Sequence, residues 1–88
     1  MAANYPFKIT TMLGVPFEND VVSVVAPALE GQVGILAHHA PMVCATVAGK
    51  VSVQDEAGTT YNFDVDEGTL QVKESSVVLL VGYAKPAS

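Results

Sequence analysis

Lys50-Val51-Ser52-Val53-Gln54-Asp55-Glu56-Ala57-Gly58-Thr59-Thr60-Tyr61-Asn62-Phe63-Asp64-Val65 is the stretch whose reading decides the fold class. Its first five residues alternate strictly, with Val51 and Val53 on one face and Lys50, Ser52 and Gln54 on the other. Such a period of two belongs to a strand with one buried face. Asp55-Glu56-Ala57-Gly58 is built of turn formers. The return run then places Tyr61, Phe63 and Val65 on one face. The stretch is a β-hairpin with an apolar side.

The same signals extend in both directions. Toward the C-terminus, Asp66-Glu67-Gly68 turns the chain, Thr69 to Lys73 alternates, Glu74-Ser75 turns it again, and Ser76 to Val81 is a long strand. Ala84 to Ser88 reads as a loose tail, so the domain is expected over 1–84 and the tail over 85–88. Toward the N-terminus, strands are expected at Met42–Thr46, Gln32–Leu36 and Val21–Ala26, the last stopped by Pro27. Tyr5 to Met12 is another strand, with Phe7, Ile9 and Thr11 alternating against Lys8 and Thr10. Leu13-Gly14-Val15-Pro16 reads as its turn and Phe17-Glu18-Asn19-Asp20 as a connector. Short strands recur about every ten residues with turn chemistry between them, which argues an all-β two-layer sandwich or barrel.

Two runs do not alternate: Val21–Ala26 and Val77–Val81. A half-wet antiparallel strand should alternate, and a continuous apolar one is covered on both faces. In a chain of 88 residues the second cover is expected to be another protein, and Val24 and Val78 are the positions taken as partner contacts. The alternative is a strand with a few exposed valines, which is ordinary. Composition points the same way as the first reading. Half the residues are hydrophobic, mean hydropathy is +0.38 and only 15% are charged, so apolar surface in excess of a small core is expected.

Nine acids against four lysines and no arginine leave a net charge of −5. That disfavours nucleic acid and direct binding to anionic lipid. One cysteine, Cys44 in an apolar run, makes no disulfide framework. No signal peptide is expected from Met1–Tyr5, and no run approaches the ~18 apolar residues of a membrane span. Catalytic groupings are not evident. His38 and His39 are adjacent and would point to opposite faces of a strand, so they are not a joint metal site. Asp64, Asp66 and Glu67 read as a solvated hairpin end. Gly31 and Gly34 are too close for a phosphate-binding loop. No catalytic residue, cofactor or metal is expected, and the chain reads as an interaction module.

Glu30-Gly31-Gln32 projects from this apolar framework as a polar loop, and His39 precedes Ala40-Pro41. Loops of this kind carry function disproportionately often. For His39 the local reading is an imidazole that hydrogen-bonds nearby backbone and stabilises a turn, with an interface contact as the other.

The stretch Val25-Ala26-Pro27-Ala28-Leu29-Glu30-Gly31-Gln32-Val33-Gly34-Ile35-Leu36-Ala37-His38-His39-Ala40-Pro41 resembles the signature Val-Pro-x-x-Glu-Gly-x-x-Gly-Ile-Leu-Pro-x-His-Ala-Pro. That signature belongs to the N-terminal β-sandwich of the epsilon subunit of F-type ATP synthases, the equivalent of the mitochondrial delta subunit. Gly68-Thr69-Leu70-Gln71-Val72 and Val77-Val78-Leu79-Leu80 are similar to its Gly-x-Leu-x-Val and Val-x-Val-Leu steps. Phe7–Thr11 and Phe17-Glu18 match its opening. The resemblance covers about residues 5–84.

It implies a sandwich of about ten short strands and a non-catalytic rotor subunit. Such a subunit sits on the cytoplasmic face of a bacterial inner membrane, or the equivalent organelle face. There it ties the gamma subunit to the c-ring and couples proton flow to ATP synthesis. On that resemblance Glu30, Gly31 and Gln32 face the ring and His39 lies near gamma. The chain departs from the family at Ala37-His38, at Glu67-Gly68 and at Val81-Gly82, and the helical hairpin of longer members would fall beyond Ser88. A free-standing binding module for a protein or small ligand is the competing reading.

Overall fold

The alternation of the Lys50–Val65 hairpin holds in space. Val51 and Val53 are buried beside Phe63 and Val65, while Lys50, Gln54 and Asp64 are exposed. The computed structural model describes residues 3–87. Met1, Ala2 and Ser88, the ends of the expected domain and tail, lie outside the described residues. Ten strands follow one another: β1 (Tyr5–Thr11), β2 (Gly14–Val21), β3 (Ser23–Ala28), β4 (Gly31–Leu36), β5 (Met42–Thr46), β6 (Gly49–Gln54), β7 (Thr60–Val65), β8 (Gly68–Val72), β9 (Val77–Val81) and β10 (Ala84–Pro86). No helix occurs among the described residues.

The strands form one continuous path, β10-β7-β6-β3-β5-β8-β9-β1-β2, with β4 on β3. The path folds over at its narrowest joint. β3 meets β5 through the single pair Ala28↔Thr46, reinforced by Leu29 N–H to the Ala45 carbonyl at 3.3 Å and Val47 N–H to the Pro27 carbonyl at 2.9 Å. On one side of that joint lie β10, β7, β6, β3 and β4; on the other lie β5, β8, β9, β1 and β2. The two halves face each other as the layers of a sandwich. All neighbours are antiparallel except β1 and β9.

Between the layers the largest buried side chains are Phe7, Ile9, Ile35, Leu70 and Leu79, with Val21, Val24, Val51 and Val53. Phe17 reaches across from β2 to the other layer. Its ring centroid is 5.1 Å from that of Tyr61 and 5.3 Å from that of Phe63. Tilted and edge-on pairs at such distances add about 0.5–1.5 kcal/mol each beyond their burial. The Tyr5 hydroxyl donates to the Ile35 carbonyl at 2.7 Å, so the first strand is fastened to the end of β4.

The structure corrects the expectations at four places. Phe17–Asp20 is not a connector but part of β2, in step with Ile9 to Pro6 of β1 before the register shifts between Ile9 and Thr11. Its polar run Glu18-Asn19-Asp20 hid it because β2 ends the path and both its faces are wet there; an edge strand also tolerates Pro16. The expected strand Val21–Ala26 is divided at Val22, where the chain leaves β2 for β3, and Pro27 continues β3 rather than stopping it. The tail is not loose over Ala84–Ala87: Ala84–Pro86 pairs with β7, and the Ala87 N–H donates to the Asn62 carbonyl at 2.8 Å. Finally, Val24 is 0% exposed. It stands between Ile35 and Val53 in the inward row, so it is a core residue and not a partner contact.

Register also sorts the turns. Met12-Leu13, Leu29-Glu30, Val47-Ala48, Asp66-Glu67 and Gly82-Tyr83 all fall at one end of the sandwich, because β1, β3, β5, β7 and β9 all finish there. Val22 and the segments 37–41, 55–59 and 73–76 fall at the other end.

Candidate functional site

The outward faces of the two layers differ in chemistry. Across β3, β6 and β7 the outward rows read Val25-Ser52-Asn62 and Ser23-Gln54-Thr60. The Ser52 hydroxyl donates to Asn62 Oδ1 at 2.8 Å. Lys50 and Asp64 pair beside them. This face is mostly polar, with Leu36 of β4, opposite Ser23 and 65% exposed, as its exposed apolar exception. Across β5, β8, β9 and β1 the rows read Val43-Gln71-Val78-Lys8 and Ala45-Thr69-Leu80-Thr10. Val43 is 68% and Leu80 42% exposed. On this face the apolar side chains stand among Gln71, Lys8, Thr69 and Thr10.

The turn-bearing end is the second feature. Ala28-Leu29-Glu30-Gly31 closes the β3–β4 hairpin, with Ala28 and Gly31 as its last pair. Gly31 has φ +123°, a backbone region that L side chains avoid. The polar loop is thus held at the tip, with Glu30, Gly31 and Gln32 exposed. Thr11-Met12-Leu13-Gly14 closes the β1–β2 hairpin in the same way, with Gly14 at φ +138°. Its central residues, Met12 and Leu13, are 97% and 98% exposed. The turn lies two residues earlier than expected, and its cue was the glycine at the fourth position, as in Asp55-Glu56-Ala57-Gly58. Asp66 ties this end together: its Oδ1 accepts from the Gly82 N–H at 2.6 Å and the Tyr83 N–H at 3.0 Å.

His39 is not part of that end. It lies past the far end of β4, about 17 Å of strand away from Gly31. Leu36 to His39 is a turn closed by the His39 N–H on the Leu36 carbonyl at 3.2 Å. His39 Nδ1 lies 2.7 Å from the Ala40 carbonyl, so that nitrogen carries the hydrogen. The imidazole braces the turn as the local reading expects. His38, at φ +67°, holds the left-handed conformation the turn needs. Val78 lies half-buried in the middle of the apolar outer face. The residues singled out in the sequence therefore divide among the core (Val24), the apolar face (Val78), the near end (Glu30, Gly31, Gln32) and the far end (His39).

Burial pushes the Tyr5 phenol up to about 12. The hydrogen bond to Asp55 raises that of Tyr61. Both lie near the far end, where Tyr5 lines a small pocket with His38, His39, Lys73 and Glu74. Among the described residues no three His, Cys, Asp or Glu side chains come together as a metal site.

A match to the family described as ATP synthase, Delta/Epsilon chain, beta-sandwich domain covers residues 4–87. The ATP synthase epsilon chain of Desulforamulus reducens is 37% identical over 87 residues, 99% of this chain and 65% of that one. That of Caulobacter vibrioides is 39% identical over 72 residues, 82% of this chain and 83% of that one. The chain spans between half and two thirds of the length of the first of these relatives. The fold recurs in a chain of the Euglena gracilis mitochondrial ATP synthase, solved with OSCP, F1 and c-ring. The TM-score is 0.90 at 22% identity, over 98% of this chain and 55% of that one. It recurs again in the Tetrahymena thermophila mitochondrial ATP synthase central stalk and c-ring, with TM-score 0.77 at 11% identity, over 94% and 66%.

Proposed function

This chain belongs to the ATP synthase delta/epsilon chain β-sandwich family, and from that premise we propose that it is a non-catalytic central-stalk subunit of an F-type ATP synthase. It links a gamma subunit to the c-ring and passes ring rotation to the catalytic head. Relatives of 37% and 39% identity carry the name ATP synthase epsilon chain, and the solved assemblies that contain this fold include a c-ring and a central stalk. It meets the membrane through the complex, on the cytoplasmic face in a bacterium or the equivalent organelle face.

The observation that carries this reading is the asymmetry of the two sheet faces. The β5-β8-β9-β1 face offers Val43, Val78 and Leu80 to a broad protein surface, which suits gamma. The end with Glu30, Gly31 and Gln32 offers a narrow set of turns, which suits the loops of a ring. A rotor link needs two such surfaces on one rigid body, and a single ten-stranded sheet, nine strands in one path with β4 on β3, supplies the rigidity.

The test is co-elution with purified gamma subunit at micromolar concentration. One shared peak is expected, lost when Val78→Asp or Leu80→Asp is introduced in a chain that still melts cooperatively. Two separate peaks with the unaltered chain would overturn the reading.

A further inference from the structure

We propose that the open edge of β4, from Gln32 to Leu36, takes up an extended segment of the gamma subunit as an added strand. This deepens the reading above and rests on it. The sandwich has two open sides. At one of them β2 and β10 end the layers, where Val15, Pro16 and Ala84 line a common groove. Both strands are poor templates for a further strand. β2 carries Pro16, Glu18 and Asp20, and β10 is three residues long with Lys85 and Pro86. Proline and charge of this kind keep another chain from pairing. β4 stands at the other side. Its six residues, Gly31-Gln32-Val33-Gly34-Ile35-Leu36, include no proline and no charge, and among the described residues it pairs with β3 alone.

Register shows which backbone groups this edge presents. At the joint with β5 the Pro27 carbonyl accepts and the Leu29 N–H donates. Direction alternates along a strand, so Ala26 and Ala28 turn their groups toward β4, where Val33 and Gly31 answer them. Gln32, Gly34 and Leu36 therefore turn theirs out of the edge, and all three residues are exposed. The Leu36 carbonyl is taken by the His39 N–H. The Leu36 N–H and both groups of Gln32 and Gly34 remain for a partner. A Cβ built at Gly34 meets nothing within 4 Å, so the middle of the edge is open. Donors and acceptors repeating every second residue are matched by another extended backbone.

The side chains of the added strand have a place as well. Beside the edge lies a slot of about 380 Å³ lined by Val33, Met42 and Cys44, with Glu30 as its one charged residue. Alternate apolar side chains fit there. Size decides between gamma and a second copy. Two β4 strands paired edge to edge offer six residues a side, against roughly 20–30 a side in a stable interface. Gamma seated on Val43 reaches the slot directly, because Met42 and Cys44 flank Val43 on β5. The added strand then extends a broader contact.

The experiment measures amide hydrogen exchange of the labelled chain, alone and bound to purified gamma, together with the gamma affinity of Gly34→Pro and Gly34→Ala. In the chain alone, Val33 and Ile35 should be protected while Gly34 and Leu36 exchange. In the complex, Gly34 and Leu36 should slow by roughly 10-fold or more. Gly34→Pro removes an outward donor and leaves the β3 ladder intact. Affinity for gamma is expected to fall roughly 10-fold in a chain that still melts cooperatively, whereas Gly34→Ala, which keeps the N–H, should bind like the unaltered chain. If Gly34→Pro does not melt cooperatively, Leu36→Pro on the same edge takes its place. A complex in which Gly34 and Leu36 exchange as before would overturn the added strand while leaving the proposed function intact. So would slowed exchange with undiminished affinity of the proline variant, which would mean that gamma covers the edge without pairing to it. Slowing that appears without gamma as the chain is concentrated would make a second copy the occupant, and the proposal fails. Absence of any complex with the unaltered chain would overturn both readings.

Discussion

Val24 and Val78 belong to different layers and face different surroundings: Val24 points into the core between Ile35 and Val53, while Val78 stands between Gln71 and Lys8 on the outer face of the other layer. The same substitution should therefore do different things at the two positions. Val24→Asp places a carboxylate in a site 0% exposed and should cost on the order of 3–5 kcal/mol, enough to unfold a domain of this size. Val78→Asp should shift the melting temperature by only a few degrees and act on partner binding. Circular-dichroism melts of both variants check this. A Val78→Asp chain as unfolded as Val24→Asp would place Val78 in the core.

Gly68 carries a cross-strand constraint. A Cβ built there overlaps the Leu80 carbonyl oxygen and approaches Val81 Cγ1 at 2.9 Å. Backbone has to move for any side chain to fit, because Gly68 and Val81 are paired between β8 and β9. Gly68→Ala should destabilise by about 2 kcal/mol or more. Gly34→Ala, which meets nothing within 4 Å, should stay within about 0.5 kcal/mol. Urea titrations of the pair test the contrast.

Most of this architecture is legible in sequence wherever a strand has one wet and one dry face, as in Lys50–Gln54 or Thr60–Val65. It is illegible where that contrast vanishes. β2 has two wet faces around Glu18-Asn19-Asp20, and β10 is held by pairing to β7 rather than by its own composition. Continuous apolar runs fail for another reason. Val24 and Val78 both sit in valine-rich strands, and only register tells which one turns inward. The Glu30–Gln32 loop was readable from its polarity. The Met12-Leu13 tip was not, because reading the turn at Leu13–Pro16 left Met12 inside a strand.

His38 tests the cost of a left-handed residue. At φ +67° a side chain with a Cβ loses about 1 kcal/mol relative to glycine. His38→Gly should therefore raise stability by about 0.5–1 kcal/mol, less a small entropic loss from a freer unfolded chain. His38→Val, β-branched, should lower it further than His38→Ala. Equal stability across the three variants would mean that the turn relaxes to another geometry.

The Tyr5 phenol sets an alkaline limit. Its folded value is raised by burial to about 12, against an ordinary value of 10.0. The neutral form is the one the fold accommodates, since its hydrogen is donated to Ile35. Its contribution is present in full below pH 10, where folded and unfolded chains are both protonated. Above that the unfolded chain releases its proton first, and stability falls until the folded value is passed near pH 12. At about 1.4 kcal/mol per unit, the shift from 10.0 to about 12 bounds the loss at about 3 kcal/mol. Tyr61, raised through Asp55, falls off in the same direction, so the residue must be separated by substitution. Tyr5→Phe should cost about 1 kcal/mol at neutral pH by leaving the Ile35 carbonyl without its donor. It should also make the decline between pH 10 and 12 shallower. Urea midpoints across that range for both chains measure it, and parallel declines would assign the alkaline step to another group.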